Sequence, residues 1–228
     1  MKTKRLYVYC EGQTEEAFVN RVLYPYLQSM GVDTTPLLCD PGGTSRRKYK
    51  GGVSSYGKIK KELIKHCGDH RNEMITTMFD LYAFPPDTPG IDNNISDIYE
   101  KAEHIEKAIM DDIDNWYDNM FFNLVLHEFE GLLFSDVSAF EDVDGADSET
   151  IADLRDIRAS VKTPEHINGS TATAPSKRIE GAIPGYSKVV DGVDVAEEIG
   201  IDKISSECKH FERWIAKITD WAKRDFST

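Results

Sequence analysis

The sequence predicts an α/β fold: a central, mostly parallel sheet flanked by helices over residues 1–140, then a mainly helical extension over 141–228. Three observations predict it. Short apolar, β-branched and aromatic runs alternate with longer amphipathic stretches, the pattern of strand–helix–strand units. Three of the short runs end on an acidic residue. From Ser138 onward the character changes to capped helical segments and loops.

Taken in order, the first strand is Leu6 to Cys10, too short for a helix and closed by Glu11-Gly12. A helix follows from about Thr14 to Met30, with Thr14 as N-cap and Glu15 and Glu16 in its first turn. Ala17, Phe18, Val22, Leu23, Tyr26, Leu27 and Met30 form its apolar face. Pro25 predicts a kink and Gly31 a stop. Val32 to Cys39 reads as a second strand, which Pro36 places at the sheet edge. The run Gly42 to Gly52 is a glycine-rich basic loop carrying Arg46, Arg47 and Lys48. Its charge, opposite to that of the whole chain, points to contact with a phosphate backbone; the plainer alternative is a solvated charge run. Gly52 to Lys58 has the glycine and lysine spacing of a P-loop. Ile59 stands where a Ser or Thr should hold magnesium, and no strand precedes it, so nucleoside triphosphate binding there is excluded.

Tyr56 to Cys67 reads as an amphipathic helix with Ile59, Leu63 and Ile64 inward. Met74 to Phe79 is a third buried strand, and it ends on Asp80. The stiff, proline-rich loop Leu81 to Gly90 then directs Asp87 back toward Asp80. A polar helix spans about Ile95 to Ile113. The fourth strand, Phe121 to Leu126, runs straight into His127-Glu128-Phe129-Glu130. On a regular helix Glu128 and Glu130 lie about 200° apart, so one serves a site and the other faces elsewhere. In the extension, Ser148 to Val161 reads as a helix and Thr163 to Tyr186 as loop-rich. Asp202 to Trp221 is the final helix, whose stripe Ile204, Cys208, Phe211, Trp214, Ile215 and Ile218 is core packing.

A net charge of -13 excludes a whole-molecule basic footprint for nucleic acid, so any phosphate contact must be local. The four cysteines are scattered without a C-x-x-C pair, which favours reduced, buried thiols over disulfides or zinc. No signal peptide opens the chain, and no apolar run approaches the ~20 residues of a membrane span. A soluble, cytoplasmic protein with no membrane partner is expected.

Glu11, Asp80 and Glu128 or Glu130 each close an apolar strand in an alternating chain. Parallel strands joined by right-handed crossovers bring their carboxyl ends to one edge. Carboxylates gathered there repel one another unless a hard divalent cation offsets them, and oxygen-only ligands select Mg²⁺ or Mn²⁺. Such an ion polarises a phosphodiester and activates water, while Lys177 or Arg178 neutralises charge on the phosphate. His127 reads either as a general base or metal ligand, or as a partly buried residue satisfying a backbone carbonyl. Glu15 reads as a helix-dipole partner or as a further ligand.

These residues resemble a Toprim domain, the α/β catalytic module of topoisomerases, primases and the overcoming-lysogenization-defect nucleases. The Glu11-Gly-Gln-Thr-Glu15 turn and the acid after the third strand carry that resemblance. More narrowly, these segments together with Asp87-Thr-Pro-Gly90, His127-Glu-Phe-Glu130-Gly-Leu-Leu-Phe-Ser135-Asp136 and Pro175-Ser-Lys-Arg178 resemble the bacterial domain-of-unknown-function family 4276. The resemblance implies a Toprim-like Rossmannoid fold and Mg²⁺-dependent cleavage of nucleic acid. It implies a partner ATPase encoded alongside in a phage-defence system, and it leaves room for a homo-oligomer. By position, Glu11 becomes the general acid/base or metal ligand, Asp80 a metal ligand, Glu128 and Glu130 further acids, and Lys177 the phosphate-stabilising lysine. The chain departs from the Toprim Asp-x-Asp at Asp80-Leu81-Tyr82, where the second acid is missing; Asp87 or Glu130 is left to substitute. Two other readings stay open: a degenerate module that binds a partner ATPase or nucleic acid, and a small-molecule phosphotransferase or phosphatase that uses the ion but not the basic loop.

Overall fold

A computed structural model describes residues 3–39, 55–82, 84–91, 94–113, 118–167 and 173–224. The basic loop with Arg46, Arg47 and Lys48 lies outside the described residues.

Strands β1 (Lys4–Cys10), β2 (Val32–Leu38), β3 (Met74–Asp80), β4 (Met120–Phe121) and β5 (Leu124–Val125) form a parallel sheet. Its order is β2-β1-β3-β4, with β5 also paired to β3. Leu6 stands opposite Thr34 on one side and Met74 on the other. β3 is buried along its length, as a central strand must be, whereas β2 is half-exposed at the edge. The period of two along a strand sorts the core into two layers. Leu6, Val8 and Cys10 of β1 and Met74 and Met78 of β3 belong to one apolar cluster. Tyr9, Ile75 and Phe79 belong to the other.

The second layer is filled by α3 (Tyr56–Asp69) and α4 (Ile98–Asp112), through Ile59, Leu63, Ile105 and Ile109. The first layer receives α1 (Gln13–Phe18), α2 (Tyr24–Gln28) and the turn that joins them through Phe18, Leu27 and Val22. It also receives the extension: α5 (Ser148–Ala159), α6 (Pro175–Ala182), α7 (Asp191–Glu207) and α8 (Lys209–Lys223). One continuous cluster runs from Leu6 and Phe18 through Phe134 and Phe140 to Trp214 and Ile218, so the extension is packed against the sheet. Trp214 Nε1 donates to Thr76 Oγ1 at 2.9 Å, tying α8 to β3. Lys4 Nζ donates to the carbonyls of Trp221 and Ala222, capping the end of α8 from β1.

Several elements differ from expectation for identifiable reasons. The long first helix is not regular before Pro25. It carries a π-helical turn over Val19–Leu23, in which Tyr24 N–H reaches back to Val19 O. The wider turn sits immediately before the proline, whose ring would clash in a regular helix. The helix starts after Gly12 rather than at Thr14, because Glu15 Oε2 accepts the Gly12 N–H at 2.9 Å. The fourth strand is split into β4 and β5: Asn123 N–H donates to Thr77 Oγ1 at 2.8 Å and Thr77 Oγ1 donates to Asn123 O at 2.7 Å, so a hydroxyl replaces the ladder there. The segment after Glu128 is a 3₁₀ turn, Phe129–Ser135, not an α-helix. The expected helix from Asp202 to Trp221 is broken at Cys208, which is extended. Glu165 accepts the His210 and Phe211 N–H groups at 3.0 Å and starts α8 there. The loop-rich stretch after Thr163 contains α6. All four cysteines are buried free thiols, as expected.

Candidate functional site

β1 has β2 on one side and β3 on the other, so successive connections leave it in opposite directions and open a crevice at the carboxyl ends of β1 and β3. Glu11 and Asp80 sit on its two sides. Their groups meet directly: Asp80 N–H donates to Glu11 Oε2 at 3.2 Å. Phe129 N–H donates to Asp80 Oδ1 at 3.0 Å, bringing the turn after β5 to the same edge. Ser176 N–H, in the first turn of α6, donates to Glu128 Oε2 at 3.0 Å. Pro175 opens that helix and lacks an N–H, so Ser176 supplies a donor at its start. Acids more than a hundred positions apart in the chain therefore converge on one rim.

Glu130 and Glu15 complete the group. Glu130 is 2% exposed, and its Oε1 lies 3.0 Å from Lys188 Nζ without the alignment of a hydrogen bond. Glu15 is also buried. Burial pushes all four of Glu11, Glu15, Asp80 and Glu130 above the usual carboxylate range. For Glu15 the value reaches about 7; Glu11 and Glu130 add to the effect of burial, against the pull of the Gly12 N–H. Asp80 is held well above its ordinary value by burial and then by Glu15, Glu11, Glu130 and Glu128. Lys188 answers this field. Burial pulls its ammonium down, but Glu130, Glu128 and Asp80 outweigh burial and hold it above 10.5.

Other expected site residues lie elsewhere. Asp87 Oδ1 accepts the Tyr56 N–H at 3.1 Å; it caps α3 instead of turning toward Asp80. The helix start offers it an unpaired backbone donor, while the acids at the rim offer only repulsion. Lys177 Nζ pairs with Glu180 on its own helix at 2.5 Å, exposed to solvent. Arg178 Nε donates to Thr173 O at 2.8 Å. The helical period turns the Lys177 head away from Glu128, so the contribution of Pro175 to Arg178 to the rim is the Ser176 backbone. The lysine at the rim is Lys188, in the loop between α6 and α7. Its neighbours Val189 and Val190 are exposed, and no motif pointed to it. Tyr82, at the position of the missing second acid, is 40% exposed and donates its N–H to His127 O at 3.0 Å.

His127 is the one non-glycine with positive φ, 64°, among the described residues. That conformation costs roughly 1 kcal/mol or more and is held here by its carbonyl's bond to Tyr82. It turns the chain so that Glu128 faces the rim. Burial and then His166 lower its imidazole to about 4, so at neutral pH it is uncharged.

The donor chemistry fits a hard divalent cation: all oxygen, anionic and, among the described residues, short of positive charge. Glu11, Asp80 and Glu128 each spend one oxygen on a backbone N–H, and the second accepts no hydrogen bond among the described residues. The ligand set is not preassembled. Among the described residues, no three His, Cys, Asp or Glu side chains stand in place to hold one ion. Among them, too, no helix is long and apolar enough to cross a membrane.

A family model described as a domain of unknown function, DUF4276, matches residues 10–219. The chain belongs to this family. The DUF4276 chain is also similar to solved structures. One is the C-terminal region of the Burkholderia pseudomallei OLD protein, with 15% identity, a TM-score of 0.46, and 96% of this chain and 98% of that one covered. Another is the C-terminal region of the Xanthomonas campestris pv. campestris OLD protein, with 16% identity, a TM-score of 0.38, and 96% and 100% covered. No curated protein matches this DUF4276 chain.

Proposed function

We propose that the chain is a Mg²⁺- or Mn²⁺-dependent nuclease of the Toprim type, as its sequence resemblance implies. The observation that supports the reading is the gathering of Glu11, Asp80 and Glu128 along one rim at the topological switch point, under-compensated in charge among the described residues. Glu11, Asp80 and Glu128 would hold the ion, with Glu130 close behind. A bound divalent ion supplies Lewis-acid polarisation of a phosphodiester and a more acidic water. The chain's own groups supply the rest. The backbone N–H groups of Asp80, Phe129 and Ser176 fix the carboxylates in orientation. Lys188 brings a positive charge to where phosphate charge develops, the role the sequence assigned to Lys177. Where Glu11 does not hold the ion, its proton affinity, raised by burial, suits it to take or give a proton. Arg46, Arg47 and Lys48 remain the proposed contact to the flanking phosphates. In this reading the chain acts in the cytoplasm as the effector of a phage-defence system beside a partner ATPase.

The test compares degradation of DNA and RNA with Mg²⁺, with Mn²⁺ and with EDTA. Cleavage that needs a divalent ion and disappears with EDTA is expected; cleavage indifferent to chelation overturns the proposal. A second reading draws support from Tyr82 and from the absence of a preassembled ligand set among the described residues: a degenerate module that docks on an ATPase or nucleic acid. It predicts binding to those partners and no cleavage under any of the three conditions.

A further inference from the structure

The block from His127 to Asp136 has two ends, and the rim uses only the first. Phe129 N–H reaches Asp80 at the start of the 3₁₀ turn Phe129–Ser135. At the other end Asp136 is extended and caps a second short turn, Val137–Phe140. Its Oδ1 accepts the Ser138 N–H at 3.0 Å and the Ser138 hydroxyl at 2.6 Å. Ser135 to Ser138 line a cavity of about 450 Å³, and residues of α5 and α7 complete the lining. Those helices bring three cations to it, Arg155, Arg158 and Lys203, against the single carboxylate of Asp136. The chain as a whole has a net charge of -13, so this excess of positive charge is local.

Local rules place these cations. Arg155 and Arg158 are three apart on α5 and share a face. Lys203 follows Gly200, whose φ of 76° breaks α7 and redirects its second half; the conformation, not the space, calls for glycine there. Two of the three cations are fixed. Arg158 donates to Val161 O at 3.2 Å and to Glu207 Oε2 at 2.8 Å, while Lys203 donates to Glu207 Oε1 at 2.8 Å. One carboxylate thus serves two cations, and Lys203 and Arg158 hold it below its usual range. Arg155 differs. It donates to Glu141 at 2.9 Å, and both side chains are 57% exposed, so the pair contributes little and gives way readily. Asp136 is already satisfied: its bonds from Ser138, then the charges of Lys203 and Arg155, hold its carboxyl down. A guanidinium has five N–H donors and an ammonium three. Among the described residues the three groups make four hydrogen bonds, which leaves most of their donors for a ligand or water.

We propose that this cavity binds a phosphate group, free or borne by a phosphomonoester of about mononucleotide size. Arg158 and Lys203, held by Glu207, are its preformed part. Arg155 is the arm that leaves Glu141 and closes on the anion. A phosphate presents three strong acceptor oxygens in a tetrahedral array, which suits three cations arriving from two helices; a carboxylate presents two in one plane. The volume exceeds what a bare ion fills and falls in the range of small-molecule sites. None of the rim acids lines this cavity, so binding there needs neither a metal ion nor cleavage at the rim.

The test is isothermal titration calorimetry of the full chain with AMP, inorganic phosphate and adenosine, all in EDTA so that no ion at the rim recruits phosphate. AMP should bind with a dissociation constant on the order of 100 µM, inorganic phosphate about tenfold more weakly, and adenosine not measurably. Arg155→Ala and Lys203→Ala should each weaken AMP binding at least about tenfold. Glu141→Gln, which releases Arg155, should tighten it about threefold. Equal affinities for AMP and inorganic phosphate support the site and assign it to free phosphate. Binding of neither overturns the proposal. So does adenosine binding as tightly as AMP, and so does an affinity unchanged in Arg155→Ala, which would put the ligand elsewhere on the chain. Arg155 and Glu141 are exposed, so their variants keep the test decisive should Lys203→Ala fail to fold. Divalent-dependent cleavage stands or falls on its own assay, whichever way these titrations come out.

Discussion

Among the described residues, buried acids occur in two places, and they are treated differently. Beneath the sheet edge, Glu106 Oε1 accepts the Leu124 N–H and faces His210 Nε2, both at 2.8 Å. Both oxygens of Glu165 accept the His210 N–H, and Oε1 also takes that of Phe211. These carboxylates have donors to spare, and they serve to join α4, α8 and the segment before α6. At the rim, Glu11, Glu15, Asp80 and Glu128 have one backbone N–H each, and Glu130 shares Lys188 with its neighbours. Burial alone therefore does not mark a site. A shortage of positive charge among buried acids does, because that shortage is what an incoming cation relieves.

The largest expected effect breaks the rim. Glu11→Gln should reduce divalent-dependent cleavage on the order of a thousandfold while the metal-free protein melts no lower than the wild type, since one of the repelling charges is gone. Steady-state cleavage rates and thermal melts check both halves; a large fall in melting temperature would make Glu11 a structural acid like Glu165. The interior network should respond in the opposite sense. Glu165→Leu strands two buried N–H groups at the start of α8 and should cost roughly 3 kcal/mol in urea unfolding, with no change in the ion requirement of the folded fraction.

The pH dependence sharpens the contrast. Glu15 changes from 4.5 to about 7 on folding, so the folded chain holds more protons between those values and stability falls as pH rises through them. Glu11, Asp80 and Glu130 shift the same way. His127 opposes them: lowered from 6.5 to about 4, it loses stability as pH falls, and His66 shifts in its direction. The depressed acids Asp112, Asp136, Asp147 and Glu207 act below this window. The rim acids outnumber the histidines, so metal-free stability should fall on the order of 2 kcal/mol between about pH 5 and pH 7, and Mg²⁺ should flatten the slope. Melts with EDTA and with Mg²⁺ measure it; stability rising across that interval without metal would place the charge shortage elsewhere.

Two smaller effects test the residues that the fold removed from the rim. Asp87→Ala should cost about 1 kcal/mol through the lost contact at the start of α3 and leave Mn²⁺ affinity unchanged. Lys177→Ala should change cleavage by less than about twofold, because an exposed pair such as Lys177–Glu180 contributes little.

The amino-acid order by itself determined the strands that close on acids, the edge position of β2 through Pro36, and the convergence of Glu11 and Asp80. These follow from period, turn chemistry and the handedness of crossovers, all of which are local or general rules. It also carried the family, because the motifs that resemble it are spelled out along the chain. Only the tertiary structure decided which basic residue serves the rim. Lys177 belongs to a motif, but its helix turns it toward Glu180; Lys188 belongs to none and is delivered by a loop that Ser187, Asp191 and Gly192 hold in place. The same is true of Glu15, whose burial depends on neighbours from other strands, and of the break at Cys208, whose cap comes from Glu165, 45 residues before His210. A side chain's partner across space is set by packing, and packing between distant segments leaves no periodic trace in the sequence of either one.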